Sequence, residues 1–61
     1  MVCYWRVSKR MAQLVDAGGN VLAVVERRGQ REWAGVAAGT ALGPRRNMMS
    51  VVLLAQAVLE V

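Results

Sequence analysis

Residues 20–38, NVLAVVERRGQREWAGVAA, hold an apolar run, a short charged tip with a glycine, and a second, thinner apolar run. That order predicts a β-hairpin. The first arm, residues 21–25, is apolar at every position, as suits a strand covered on both faces or lying at a subunit interface. With Arg28-Gly29 at the centre of the turn, the glycine supplies the positive φ that a type II turn or a bulged loop needs. This register sets Glu26 opposite Arg31 and Val24 opposite Trp33, two favourable cross-strand pairs worth about 0.2–1 kcal/mol each. The second arm, residues 32–38, carries Gly35 and three alanines. A strand with so little side-chain bulk invites close approach by a helix or a second copy.

Outward from the hairpin, residues 8–17 predict a helix. Ser8 can cap it, Met11, Leu14 and Val15 fall at i, i+3 and i+4, and Gly18-Gly19-Asn20 ends it. Residues 1–7, MVCYWRV, read as a short strand or extended arm. On the far side, residues 39–46, GTALGPRR, read as a connection, because Gly43-Pro44 is a strong turn signal. Residues 47–61 predict a second helix, capped by Asn47 or Ser50, with Val51, Leu54, Ala55, Val58 and Val61 at helical spacing; four valines make a long strand the alternative, and length with Ala55-Gln56-Ala57 favours the helix. Its apolar arc leaves little polar face beyond Gln56 and Glu60, so it is expected to be buried or to lie in an interface.

The expected fold class is therefore α+β: helix, β-hairpin, helix, with a short strand at the N-terminus, in one small domain spanning residues 1–61. Sixty-one residues bury only about 60% of their unfolded surface, so such a core is marginal by itself. With one cysteine and no histidine, neither an intrachain disulfide nor a zinc site of the usual kind can supplement it. Hydrophobic residues make up 56% of the chain, much of it Ala and Val with no Phe or Ile. Oligomerisation or docking on a protein partner is the expected stabiliser. The interface is expected on Val21, Ala23 and Val25 of the first hairpin arm and on Val51, Leu54 and Val58 of the last helix.

The longest charge-free stretch, residues 47–59, is shorter than the roughly 20 residues a membrane-spanning helix needs, so no membrane span is expected. A single unpaired Cys3 suits a reducing compartment, and a cytoplasmic location is expected. The basic, acid-free first fifteen residues also fit a mitochondrial presequence.

A net charge of +4 favours anionic partners. Arg27, Arg28 and Arg31 at the hairpin tip, with Trp33 close by and Arg45 and Arg46 in the following connection, form the candidate nucleic-acid surface. Guanidinium groups grip phosphates, and an aromatic ring can stack on a base. Glu26 and Glu32 flank this cluster and are read as its salt-bridge partners. Asp16 is placed near a helix C-terminus. Cys3 has no histidine to act as its base, and the glycines match no phosphate-binding loop. No catalytic, cofactor-binding or metal-ligating residues are assigned, and no enzyme activity is expected.

Residues 22–38 followed by residues 47–60 resemble the early part of a ribonuclease H-type domain in the order of hairpin and helix, with Val15-Asp16 in the place of the first catalytic aspartate. The family's metal-binding glutamate falls at Ser50, so its metal chemistry is not carried over. The leading expectation is a non-enzymatic interaction or assembly module, homo-oligomeric or part of a complex. The alternative is a nucleic-acid binder that uses the arginine-rich tip.

Overall fold

The computed structural model describes residues 3–60. Met1 and Val2, at the start of the expected N-terminal strand, and Val61, at the end of the expected helix, lie outside the described residues. Five strands follow one another before a single helix: β1 (Cys3–Val7), β2 (Met11–Asp16), β3 (Val21–Gly29), β4 (Glu32–Ala37), β5 (Thr40–Arg45) and α1 (Met48–Leu59). The strands form one antiparallel sheet in the order β1-β2-β3-β4-β5, each paired with its neighbour in sequence. Helix α1 packs across β3, β4 and β5.

This arrangement replaces helix–hairpin–helix with a five-stranded meander and one C-terminal helix. The segment expected as a first helix is the β1–β2 turn and strand β2. Ala12 and Leu14 point to the helix-covered side, while Met11 and Gln13 point to the other, so the period is two. Val15 follows on the same side as Met11 and Gln13, beside the point where β3 carries an extra residue, Leu22, and the register shifts. It is buried even so, and two adjacent buried residues, Leu14 and Val15, mimic helical spacing. Ser8 is not a helix cap but closes the β1–β2 turn, its N–H and Oγ both donating to the Met11 carbonyl at 2.8 and 3.2 Å. Asp16 ends a strand rather than a helix.

The expected connection at residues 39–46 is largely strand β5. Ala38 and Gly39, both at positive φ (51° and 78°), make the two-residue turn that joins it to β4. Gly43, at φ 84°, is a bulge residue inside the strand, and the β4–β5 register shifts at this point. Pro44 is accommodated because β5 is an edge strand, where its missing N–H leaves no ladder bond unmade.

The hairpin of β3 and β4 is present, but its register differs from the expected one. Gly29 pairs with Glu32, so Gln30 and Arg31 occupy the tip, and Gly29 does not adopt the left-handed conformation. Glu26 consequently lies opposite Ala34, Val24 opposite Val36, and Trp33 opposite Arg27. The pairs Glu26–Arg31 and Val24–Trp33 do not form across the ladder.

Two cross-strand rows define the covered face: Val7–Ala12–Val25–Gly35–Leu42, and Trp5–Leu14–Ala23–Ala37–Thr40. The core is drawn from these rows together with Val51, Val52 and Ala55 of α1. Alanines keep the side-chain layer at its centre thin, and Gly35 leaves room for the neighbouring backbone of β3. A Cβ on Gly35 would fall on the Val24 carbonyl. Trp5 and Cys3 pack against the β1–β2 end of this core. Asn47 caps α1 by accepting from the Ser50 N–H at 2.9 Å, and Glu60 ends it at φ 58°.

Candidate nucleic-acid interface

Strand direction decides where the charges go. β1, β3 and β5 run one way and β2 and β4 the other, so the β1–β2 turn, the β3–β4 tip and the end of β5 share one pole of the sheet. Lys9 and Arg10 lie in the first, Arg27, Arg28 and Arg31 in or beside the second, and Arg45 and Arg46 in the third. These are seven of the chain's eight basic residues. Helix α1 starts directly after Arg46 and Asn47, so the positive end of its dipole is at the same pole, with no acidic side chain in its first turn. Of the four acidic residues, Glu26 and Glu32 accompany the basic cluster, whereas Asp16 and Glu60 sit at the opposite pole.

The pole is held together by backbone as well as by charge. The Arg27 N–H donates to the Arg10 carbonyl at 2.9 Å, tying the first turn to β3. The Arg27 side chain donates through Nε to the Gly29 carbonyl at 3.0 Å and through Nη2 to the Gln30 carbonyl at 3.3 Å, which props its guanidinium over the tip. Arg10, Arg27, Arg28 and Gly29 line an open cleft of about 380 Å³.

Trp33 sits in the middle of a cross-strand row, with Arg27 on one side and Arg45 on the other. It is half-buried and packs against the core, so the core fixes the base of the ring while two arginines flank it. The structure thus brings together all six residues expected for this surface: Arg27, Arg28, Arg31, Trp33, Arg45 and Arg46. Sequence reasoning missed Lys9 and Arg10, because a helix through residues 8–17 carries them away from the hairpin. Reading Ser8-Lys9-Arg10 as a turn between two strands places them.

The residues expected at an interface separate into groups. Ala23, Val25 and Val51 are buried in the core, Leu54 is half-buried, and Val21 and Val58 are exposed. The exposed large apolar side chains lie elsewhere too: Met49 and Leu53 on the outer side of α1, Tyr4 and Val36 on the open face of the sheet, and Val7 at its edge.

At the opposite pole the Asp16 carboxylate accepts from the backbone N–H groups of Gly18 and Asn20, both at 2.9 Å, and from Asn20 Nδ2 at 3.2 Å. The bonds from Asn20, followed by that from Gly18, hold its pKa below the usual carboxylate value. This carboxylate organises the β2–β3 turn. Among the described residues no group of three or more Cys, Asp or Glu side chains is arranged to hold a metal ion, and no helix is long and apolar enough to cross a membrane. No family model, curated protein or solved structure matches the chain.

Proposed function

We propose that the protein is a non-enzymatic nucleic-acid-binding module that holds the sugar-phosphate backbone at its arginine pole. The observation that carries this reading is the gathering of seven of eight basic residues around Trp33 at one end of the sheet. Guanidinium groups bind phosphate in a planar, two-pronged way, and several together release counterions on contact with a polyanion. A tryptophan flanked by arginines adds a surface on which an unpaired base can stack.

The test is fluorescence anisotropy with labelled single-stranded and duplex oligonucleotides over a range of salt concentrations. Affinity should fall linearly on a log–log plot against salt. Replacing Arg27 and Arg28 together with alanine should reduce the slope by about 1.4 for a single strand and about 1.8 for a duplex. An unchanged slope, or binding indifferent to salt, removes the pole from the interface. A second reading, an assembly module, is favoured by the exposed apolar side chains on both outer surfaces.

A further inference from the structure

The face of the sheet turned away from α1 is apolar where an open antiparallel face is ordinarily polar. Its central row runs Arg6–Gln13–Val24–Val36–Ala41, with Tyr4 and Val21 on either side of the already buried Val15 at one end and Met11–Glu26–Ala34 at the other. Tyr4, Val21 and Val36 are 54%, 50% and 48% exposed. Accessible surface is 4335 Å² in all, against about 3,900 Å² for a compact monomer of this mass.

Two clefts mark this face. One, of about 300 Å³, lies over β3 and β4 and is lined by Val21, Leu22, Val24, Val36 and the β4–β5 turn. The other, of about 260 Å³, lies over β1 and β2 and is lined by Arg6, Val7, Ser8, Met11 and Gln13. Each has a complement on the same face. Tyr4 projects from β1, about 12 Å across the sheet from the centre of the first cleft. Glu26 projects from β3, about 7 Å from the centre of the second and on the level of Met11.

One symmetry operation satisfies both pairs. The midpoint between Tyr4 and the β3–β4 cleft, and the midpoint between Glu26 and the β1–β2 cleft, both fall about 6 Å from β1, between β2 and β3. From this we infer that the open face is the interface of a symmetric dimer, in which a second copy of this chain is seated about a two-fold axis parallel to the strands. Tyr4 of each copy fills the apolar cleft of the other, and Glu26 of each meets Arg6 of the other. The contact is isologous, so every complementary pair occurs twice. It stacks two sheets with their strands aligned, the common geometry of sheet packing. Five strands of about six residues present roughly 480 Å² in projection, and side-chain relief raises this towards the area of a small specific interface.

The experiment is sedimentation equilibrium on the full chain, with far-UV circular dichroism to monitor folding. The wild-type protein should sediment at twice 6.6 kDa at micromolar concentration. Val36→Glu places a carboxylate at the centre of the buried face and should weaken the dimer about a hundredfold or more. Leu53→Glu, on the outer side of α1, should leave the mass unchanged. Should Val36→Glu fail to fold, Arg6→Glu decides: alone it should dissociate the dimer, and combined with Glu26→Arg it should restore it. A monomeric wild type overturns the inference, as does a dimer broken by Leu53→Glu but not by the open-face variants, and so does a charge exchange that restores nothing.

Discussion

Arg27 lies directly across the β3–β4 ladder from Trp33, and Arg45 is the partner of Trp33 across the β4–β5 ladder. The relationship divides the work at the arginine pole into charge and stacking, which respond differently to mutation. Trp33→Leu keeps an apolar group against the core but removes the stacking ring. It should weaken binding to a single-stranded oligonucleotide about tenfold while leaving the salt slope unchanged. Arg27→Ala should lower the slope. In a Trp5→Phe background, where Trp33 alone emits, the oligonucleotide should quench its fluorescence. Quenching that survives high salt while binding is lost would show that the ring reports something other than stacking.

Gly35 is required for space rather than for flexibility. It is buried at the centre of the sheet between Val25 and Leu42, and an added Cβ would meet the carbonyl of Val24, a backbone atom that cannot swing aside. Gly35→Ala should therefore cost about 3 kcal/mol or more, enough to unfold a marginal domain of this size. Gly29→Ala is the comparison, since its Cβ would meet only the Glu32 side chain at 3.5 Å, an ordinary contact. That variant should change stability by less than about 1 kcal/mol. Urea denaturation of both distinguishes the sites, and equal losses would refute the steric account.

The same local geometry explains which parts of the fold were legible in the sequence. The existence of the β3–β4 hairpin is legible, whereas α1 is favoured over a long strand only by its length and by Ala55-Gln56-Ala57, and residues 1–7 fit a strand or an extended arm alike. β2 is not legible, since Val15 is buried next to Leu14 although the strand alternates, and the adjacent pair looks like a helical stripe. β5 was hidden by Gly43-Pro44, a pair that ordinarily marks a turn but here forms a bulge in an edge strand. The hairpin register is hidden because a glycine near a tip ordinarily marks positive φ, whereas here Gly29 pairs with Glu32 and the tip is Gln30-Arg31. The basic site was legible in composition, but its full extent depends on strand direction. Only a meander brings Lys9 and Arg10 to the arginine tip.

Ala38 is a suboptimal residue in an essential turn. It occupies the first position of the β4–β5 turn at φ 51°, where its Cβ crowds the backbone, while Gly39 fills the second at no such cost. Asparagine tolerates this conformation and is favoured in two-residue hairpin turns before glycine. Ala38→Asn should stabilise the protein by about 1 kcal/mol, raising Tm by about 4–8 °C. Ala38→Val should have the opposite sign, because β-branching aggravates the strain. A thermal melt that places Ala38→Asn below the wild type would show that the turn does not hold this geometry.

Asp16 gives the protein a specific sensitivity to acid. Its carboxylate accepts from the Asn20 and Gly18 N–H groups, and these bonds favour the ionised form in the folded state, so its folded pKa lies below the reference value of 3.8. A group depressed in this way stabilises the fold fully above its unfolded pKa. The contribution is lost as pH falls through the folded pKa, when protonation weakens the acceptor and the β2–β3 turn loosens. Stability followed by urea midpoints should therefore be flat with respect to Asp16 from neutral pH down to about pH 5, then decline below about pH 4. Asp16→Asn retains one acceptor oxygen but cannot ionise, so it should be less stable than the wild type at pH 7 and should lose less on acidification. The two curves should converge at the acid end. Parallel curves across the whole range would mean that the carboxylate charge contributes nothing to the turn.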